Sequence, residues 1–399
     1  MKNLLSEAQA MQEELVRRRR WLHSSPETGE CLPVTTAYVK EQLTEMGCEP
    51  VEICESGLCV LIGGKKPGKC ILLRADMDAL PMKEETDLPF ASQNGCAHSC
   101  GHDMHTSMVL GAARLLKAHE EELCGTVKLM FQPAEETFAG AVKMIGAGIL
   151  EDPAVDAAVT LHCDCMSEYP VGTLVLARKG LSMASCDRFR IDITGQGSHG
   201  AHPEEGVDPI DAGAHLLLAL QEITTREVSS RIPVVLTVGT FHSGEAANIL
   251  PTTATMSGTL RCFDGEVRRQ VLRRMEETTE LTARTFRAEA KLVVEGGCAP
   301  LRNDPAVFDA LETYFRELVG ESSVAVELDS SPEFGAEDFS NVLDRVPGVQ
   351  FFLSTGSFSD GTAHPMHSPT LVIQEEPLPI GAAAFAYAAA RWLEDQSGR

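Results

Sequence analysis

The chain has 399 residues, too many for one small core and suited to two domains. It is 43% hydrophobic and 23% charged, with glycine and proline spread throughout, which is a globular composition. A net charge of −24 repels phosphate backbones and anionic lipid, so neither nucleic acid nor a membrane surface is an expected partner. The thirteen cysteines are odd in number and irregularly spaced, which is no disulfide framework. A reducing, cytoplasmic setting is expected instead. The first residues carry acids and no apolar core segment, unlike a secretory signal, and no run of 18 apolar residues suggests a membrane span.

Helical periodicity runs over residues 4–22 and again over 35–47, the second ending at Gly47 as a C-terminal glycine. The run Arg17–Arg20, bracketed by Glu13, Glu14 and Glu27, reads as a solvated helix face rather than a nucleic-acid patch. Apolar segments of strand length follow: GLCVLIGG, CILLRADM, GTVKLMFQPAEE and AAVTLHCDC. Helices are expected between them, at about 105–119 and 139–150. Strands alternating with helices imply an α/β layer fold with a buried sheet.

Near residue 183 the pattern changes. CDRFRIDITGQ alternates like a half-buried strand, and a helix over 207–226 opens on Asp208-Pro209. Two strands, VVLTVGTFHSG and TATMSGTLRCFD, a charged helix over 265–287 and a last strand, AEAKLVVEGG, complete the segment. This β-α-β-β-α-β order is the split βαβ arrangement and reads as an inserted domain, 183–295. The α/β pattern resumes from 296, with helices at 304–319, 337–344 and 378–394, so residues 1–182 and 296–399 form one discontinuous domain.

Ligand-type side chains gather at the ends of the first strands, where open α/β sheets build sites. Asp76 and Asp78 end one strand, the pair Glu135-Glu136 another, and His162 a third; His364 and His367 come late in the chain. The stretch CAHSCGHDMHTSM, residues 96–108, adds Cys100, His102, Asp103 and His105. Cys100 and His102 are spaced to reach one ion, and thiolate with imidazole suits zinc-like metals. Of two neighbouring carboxylates at a strand end, one side chain can bind metal while the other faces a polarised water. By itself each feature has a plainer reading, a solvated acidic pair or a chance cluster. A dithiol role for Cys96 and Cys100 fits poorly, because their spacing is C-x-x-x-C.

The segments LLRADMDALPM, CAHSCGHDMHTSMVLGAARLL, FQPAEE, LHCDCM, GSHGAHPEEGVDPI, NILPTTATMSGTLR, GAEDFS and MHSP occur in one order along nearly the whole chain. That order resembles the M20 metallopeptidase family, in particular its amidohydrolase branch of aminoacylases, hippurate hydrolases, auxin-conjugate hydrolases and N-acetyl-diaminopimelate deacetylases. The resemblance implies a zinc-peptidase-like catalytic domain, a mixed sheet flanked by helices, carrying an inserted ferredoxin-like α+β dimerisation domain. It implies two divalent metal ions, zinc, manganese, cobalt or nickel, held by Cys100, His102, Glu136, His162 and His367. It makes Glu135 the general base, and His199 the group that steadies the oxyanion across a homodimer. Asn248 and Arg261 fall where relatives contact substrate, while Asp78 and Asp103 orient ligands.

The implied reaction is hydrolysis of an N-acyl-amino acid; the runner-up is a dipeptidase or aminopeptidase acting on short peptides. An inactive metal-binding module and a thiol-redox protein are the readings from other classes; the first requires a missing ligand or base, the second a functional dithiol and no metal requirement. Met104, His202, Cys163 and Cys165 depart from the family pattern. Met104 is expected to add apolar bulk near the metal loop.

Overall fold

Eight strands form one mixed sheet, in the spatial order Val51–Cys54, Gly57–Gly63, Gly125–Gln132, Lys69–Asp76, Ala157–Asp164, Gly348–Ser354, Leu174–Ala177 and Val324–Glu327. The four central strands, from Gly125–Gln132 to Gly348–Ser354, run parallel, and their side chains are almost all buried, as a sheet covered on both faces requires. The computed structural model describes residues 3–328 and 331–398. By internal contacts the chain separates into one unit of Met1–Ser182, Arg302–Ser331 and Asn341–Arg399, and a second of Met183–Leu301 and Pro332–Ser340.

In the first unit the helices His102–Ala118 and Leu378–Ser397 pack closely together. Small residues permit the approach: Gly111 faces Ala382, and Gly381 faces Met108. Met104 and Met108 are fully buried in this core. Met104 therefore contributes its apolar bulk to the core. Lys128 lies within the apolar strand Gly125–Gln132 and is also buried. Its Nζ donates to the carbonyls of Ile149, Glu151 and Pro153, so the buried polar group is hydrogen-bonded.

The N-terminal periodicity is split into Leu4–Ala10 and Gln12–Ser24. The next helix, Pro33–Glu45, is followed by Gly47 at φ +76°, the left-handed residue expected there. Glu27 accepts the backbone N–H groups of Val34 and Thr35 at its N-terminus. The tetra-arginine stretch corrects the sequence reading: Arg18 and Arg19 are buried, and only Arg17 is largely free in solvent. The helix expected at 139–150 covers only Gly140–Gly146, and that expected at 337–344 is reduced to Ser340–Leu343. In the latter, Glu337 Oε1 takes the Phe339 N–H at 2.9 Å, a local bond that competes with a helical turn.

The second unit is a four-stranded antiparallel sheet, in the order Val234–Ser243, Thr253–Cys262, Ser185–Thr194 and Glu289–Cys298. The helices Pro209–Glu222 and Gly265–Thr285 bury Leu216, Leu220, Val271 and Met275 in its own core. Asp208 and Asp264 cap these helices through their side chains. With the four long strands numbered along the chain, the sheet order is that of a ferredoxin-like fold.

A Cβ at Gly111 would stand 2.8 Å from Ala382 Cβ and 2.7 Å from Leu15 Cδ2. Gly111→Ala should therefore destabilise the protein by about 1–2 kcal/mol, the overpacking cost exceeding the helix-propensity gain of ~1 kcal/mol. Urea denaturation measures this; an unchanged or higher midpoint would show that the helix pair separates freely.

Candidate metal centre

The parallel ladder between Lys69–Asp76 and Ala157–Asp164 pairs Arg74 with Thr160, which carries Asp76 and His162 to the same edge of the sheet. Gly125–Gln132 ends in register with Asp76 and leads into Glu135 and Glu136. Beyond the edge, the helix His102–Ala118 begins at Gly101, whose φ of +87° places it in the left-handed region. A side chain there would press on Ile373 and Cys163, so glycine serves both the conformation and the space. His367, also left-handed at φ +55°, is tied to the same loop. Its N–H donates to Ser99 O at 2.7 Å, and Ser99 Oγ donates to Ser368 O at 3.0 Å.

These elements bring together all five expected ligands and the expected base. The ligand atoms of Cys100, His102 and His162 lie within 4.8 Å of one another, and so do those of Cys100, Glu136 and His367. Cys100 is common to both triads. Glu135 joins His102 and Glu136 in a third group of the same dimensions and is itself buried. His367 is half-exposed, with Nε2 3.4 Å from Glu136 Oε1.

Backbone hydrogen bonds turn the imidazoles inward. His102 Nδ1 donates to Asp78 O at 2.8 Å, and His162 Nδ1 donates to Cys163 O at 2.8 Å. In each ring Nε2 is left for the site. His162 Nε2 is 3.5 Å from Cys100 Sγ. His102 Nε2 and Glu136 Oε1 are buried and have no hydrogen-bond partner. Two orphaned polar atoms among thiol, imidazole and carboxylate donors are what a pair of zinc-like cations would complete.

The electrostatics differ from group to group. Burial disfavours a charged His102, but the Asp76 carboxylate beside it prevails and holds its pKa well above the usual value. Asp76 thus makes this position favourable for a positive charge. Burial, reinforced by the field of His105, pushes His162 down to about 3 and leaves it neutral, the form that binds metal. Burial also drives the Cys100 thiol well up.

Asp78 holds the loop that carries Glu135 and Glu136. Its carboxylate oxygens accept the N–H groups of Glu135 and Glu136, at 3.0 and 3.1 Å, just after Ala134, a left-handed residue at φ +57°. One side chain thereby fixes both neighbouring glutamates. His98 is buried, neither ring nitrogen has a partner, and burial pushes its pKa to about 3. Cys163, on the strand of His162, and Cys165, just past its end, are both buried, with Cys165 Sγ 3.4 Å from Thr355 Oγ1.

Sequence reasoning missed the network behind the loop. Asp103 Oδ2 accepts from Arg19 Nε at 2.7 Å and His23 Nδ1 at 2.8 Å, all three groups being buried. His23 Nε2 reaches Glu84, and Arg19 and Arg20 both reach Glu375. The available signal was an arginine and a histidine four apart on one helix face, with no local acid assigned to them.

The second unit holds the remaining expected residues. A short ladder pairs His199 with Ile249, and Gly200 N–H donates to Asn248 O at 2.9 Å, so His199 and Asn248 are neighbours. His199 Nδ1 accepts the N–H of Ala201 at 3.0 Å, which places the ring proton on the exposed Nε2. His202 lies beside it, with ring centroids 5.8 Å apart, and pairs with Glu204. Arg261 Nη1 donates to Phe334 O.

A sequence model of peptidase family M20/M25/M40 matches residues 72–391. The N-acetyl-L-cysteine deacetylase of Bacillus subtilis (strain 168) is 39% identical over 390 residues, covering 97% of this chain and 90% of its own length. Thermostable carboxypeptidase 2 of Saccharolobus solfataricus is 35% identical over 398 residues, covering 98% of each chain. Among solved structures, the Bacillus subtilis YXEP protein, described as a dinuclear metal binding peptidase from the M20 family, superposes with a TM-score of 0.76. It is 33% identical, over 96% of this chain and 99% of that one.

The Asp103 network has a definite pH signature. His23 is raised above its usual 6.5: burial opposes the charge, and the bonds to Asp103 and Glu84 outweigh it. Its contribution is fully present below 6.5 and is lost as pH rises through the folded value. Asp103 is lowered below its usual 3.8, since Arg19 and His23 outweigh burial; its contribution is present above 3.8 and is lost as pH falls. Asp103→Asn should flatten both arms of the stability–pH curve and cost about 3 kcal/mol at neutral pH, with Glu375 still compensating Arg19. Denaturation midpoints across a pH series test this, and an unaltered curve would rule the network out.

Proposed function

This chain belongs to peptidase family M20/M25/M40 and is a metal-dependent amidohydrolase, and we propose that its substrates are N-acyl amino acids, cleaved to a carboxylic acid and a free amino acid. The observation that carries the reading is one sulfur, Cys100 Sγ, completing two ligand triads beside a buried glutamate. In this reading Cys100, His102 and His162 hold one divalent ion, and Cys100, Glu136 and His367 hold the other. Bound there, the ions would supply the Lewis acidity that activates water and polarises the scissile carbonyl.

The protein's own groups carry the protons. Glu135, held by Asp78, accepts one from the attacking water as oxygen bonds to the acyl carbon. It returns that proton to the amine nitrogen as the C–N bond breaks. His199, with its proton on an exposed Nε2, is suited to donate to the developing oxyanion. We assign Asn248 and Arg261 to recognition of the substrate's amide and carboxylate, for which a guanidinium is well suited. The segment 183–295 is assigned as a dimerisation domain, and the protein as a homodimer. Its thirteen free thiols favour a reducing, cytoplasmic setting, and no helix among the described residues is long and apolar enough to cross a membrane.

A second reading, hydrolysis of short unblocked peptides, is favoured by the carboxypeptidase name of one relative. Metal-stripped protein, reloaded separately with zinc, manganese, cobalt or nickel, should release amine from N-acetyl and N-benzoyl amino acids. Release from free dipeptides alone would select the second reading. Glu135→Gln should lower turnover about 10²–10⁴-fold with both ions retained. Comparable activity in that variant would remove Glu135 as the base. His199→Ala should reduce kcat without altering metal content, and mixing it with Glu135→Gln should restore part of the activity. No restoration would place both groups within one subunit's site.

A further inference from the structure

His105 takes no part in the reaction above, yet it is fully buried between the two imidazoles of the inner triad. Its ring centroid lies 5.4 Å from that of His102 and 4.6 Å from that of His162. Both of its nitrogens are engaged. Nε2 accepts the Cys163 N–H at 2.9 Å, so the ring proton is on Nδ1, which donates to Asp76 Oδ1 at 2.7 Å. With no free lone pair, His105 is not a ligand, although it lies within ligand distance of Asp76 and His102.

What it joins is specific. The ladder between Lys69–Asp76 and Ala157–Asp164 ends at Arg74 and Thr160, while both strands continue for at least two more residues. His105 occupies the position where pairing stops and ties one strand end to the other through a side chain. On one side is Asp76, whose second oxygen binds Arg74 and stands 3.5 Å from His102 Nε2. On the other is the peptide N–H joining His162 to Cys163, and the Cys163 carbonyl fixes the His162 ring.

We propose that His105 is a positioning residue for the inner metal site: it bridges the Asp76 carboxylate to the His162–Cys163 peptide and so sets the separation of the His102 and His162 ligand nitrogens. The inference rests on the binuclear reading above. It predicts that the Cys100–His102–His162 site depends on His105, while the Cys100–Glu136–His367 site does not depend on it directly. Groups that orient metal ligands typically change metal affinity by about 10–100-fold when removed.

The test compares His105→Phe, which retains an aromatic ring but loses both hydrogen bonds, with His105→Gln, which keeps a donor and an acceptor. Ser107→Ala is the control: Ser107 is equally buried on the same helix and bonds Leu15 O instead, at 2.8 Å. Cobalt(II) and zinc affinities are measured by chelator competition, together with the cobalt absorption spectrum and the circular dichroism of each variant. His105→Phe should bind one of the two ions about 10–100-fold more weakly and show an altered cobalt spectrum, with its fold intact. His105→Gln should recover part of that affinity, and Ser107→Ala should match the wild type in both readouts. A folded Phe variant with wild-type affinities and spectrum would overturn the proposal. If the Phe variant does not fold, His105→Asn, which is smaller and keeps a donor for Asp76, is judged by the same criteria. Wild-type protein that binds neither ion would overturn the functional reading and this inference with it, whereas normal wild-type binding with unperturbed variants would overturn this inference alone.

Discussion

Thiol, imidazole and carboxylate groups crowded into a buried space are costly unless each polar atom not committed to the site finds a partner elsewhere. The arrangement follows from that constraint. His102 and His162 each spend their Nδ1 proton on a backbone carbonyl, which directs the remaining lone pair into the cluster. Asp78 accepts two backbone N–H groups from the loop that presents Glu135 and Glu136. Arg74, within the sheet, balances Asp76, and Asp76 in turn makes the His102 position favourable for a cation. Within the two triads, His102 Nε2 and Glu136 Oε1 are the buried atoms left without a hydrogen bond.

The same constraint explains which parts of the site were legible in the sequence. Ligand-type residues at the ends of apolar strand segments could be recognised because an open parallel sheet gathers its strand ends. The order of the motifs along the chain supplied the rest of the expected ligand set. The supporting bonds were not legible, because they join residues far apart in sequence. Arg19 looked like part of a solvated basic face, since only nearby acids were visible as partners, and nothing local marked His23. Their acceptor, Asp103, lies 84 and 80 positions away. Lys128 was equally opaque: within an apolar strand a lysine normally marks an exposed face, but here three loop carbonyls enclose its ammonium group.

Secondary structure was read most accurately where local chemistry agreed with tertiary context. The helices opening on Asp208-Pro209 and Asp264 begin within one or two residues of their expected positions, because side-chain caps and proline act locally. The weaker assignments fell where no such signal exists. The segment 139–150 has apolar periodicity, but its helix closes at Gly146, and Gly148 just beyond is left-handed. Met104 was expected to add apolar bulk near the metal loop; it lies in the first turn of the helix His102–Ala118, and its side chain joins the core.

The bond from Ser99 to Ser368 spans 269 positions, and the whole of the second unit lies between His162 and His367. Chain connectivity therefore sets a sequence of events during synthesis. The inner triad is complete in the polypeptide by residue 162, and the second unit emerges before the outer triad has its last ligand. Because domains tend to fold as units during synthesis, the second unit can acquire its own core while the sheet still lacks the strand Gly348–Ser354. Closure of the outer triad is then a late, long-range event, and a nascent chain carries four of its five expected ligands until His367 is made.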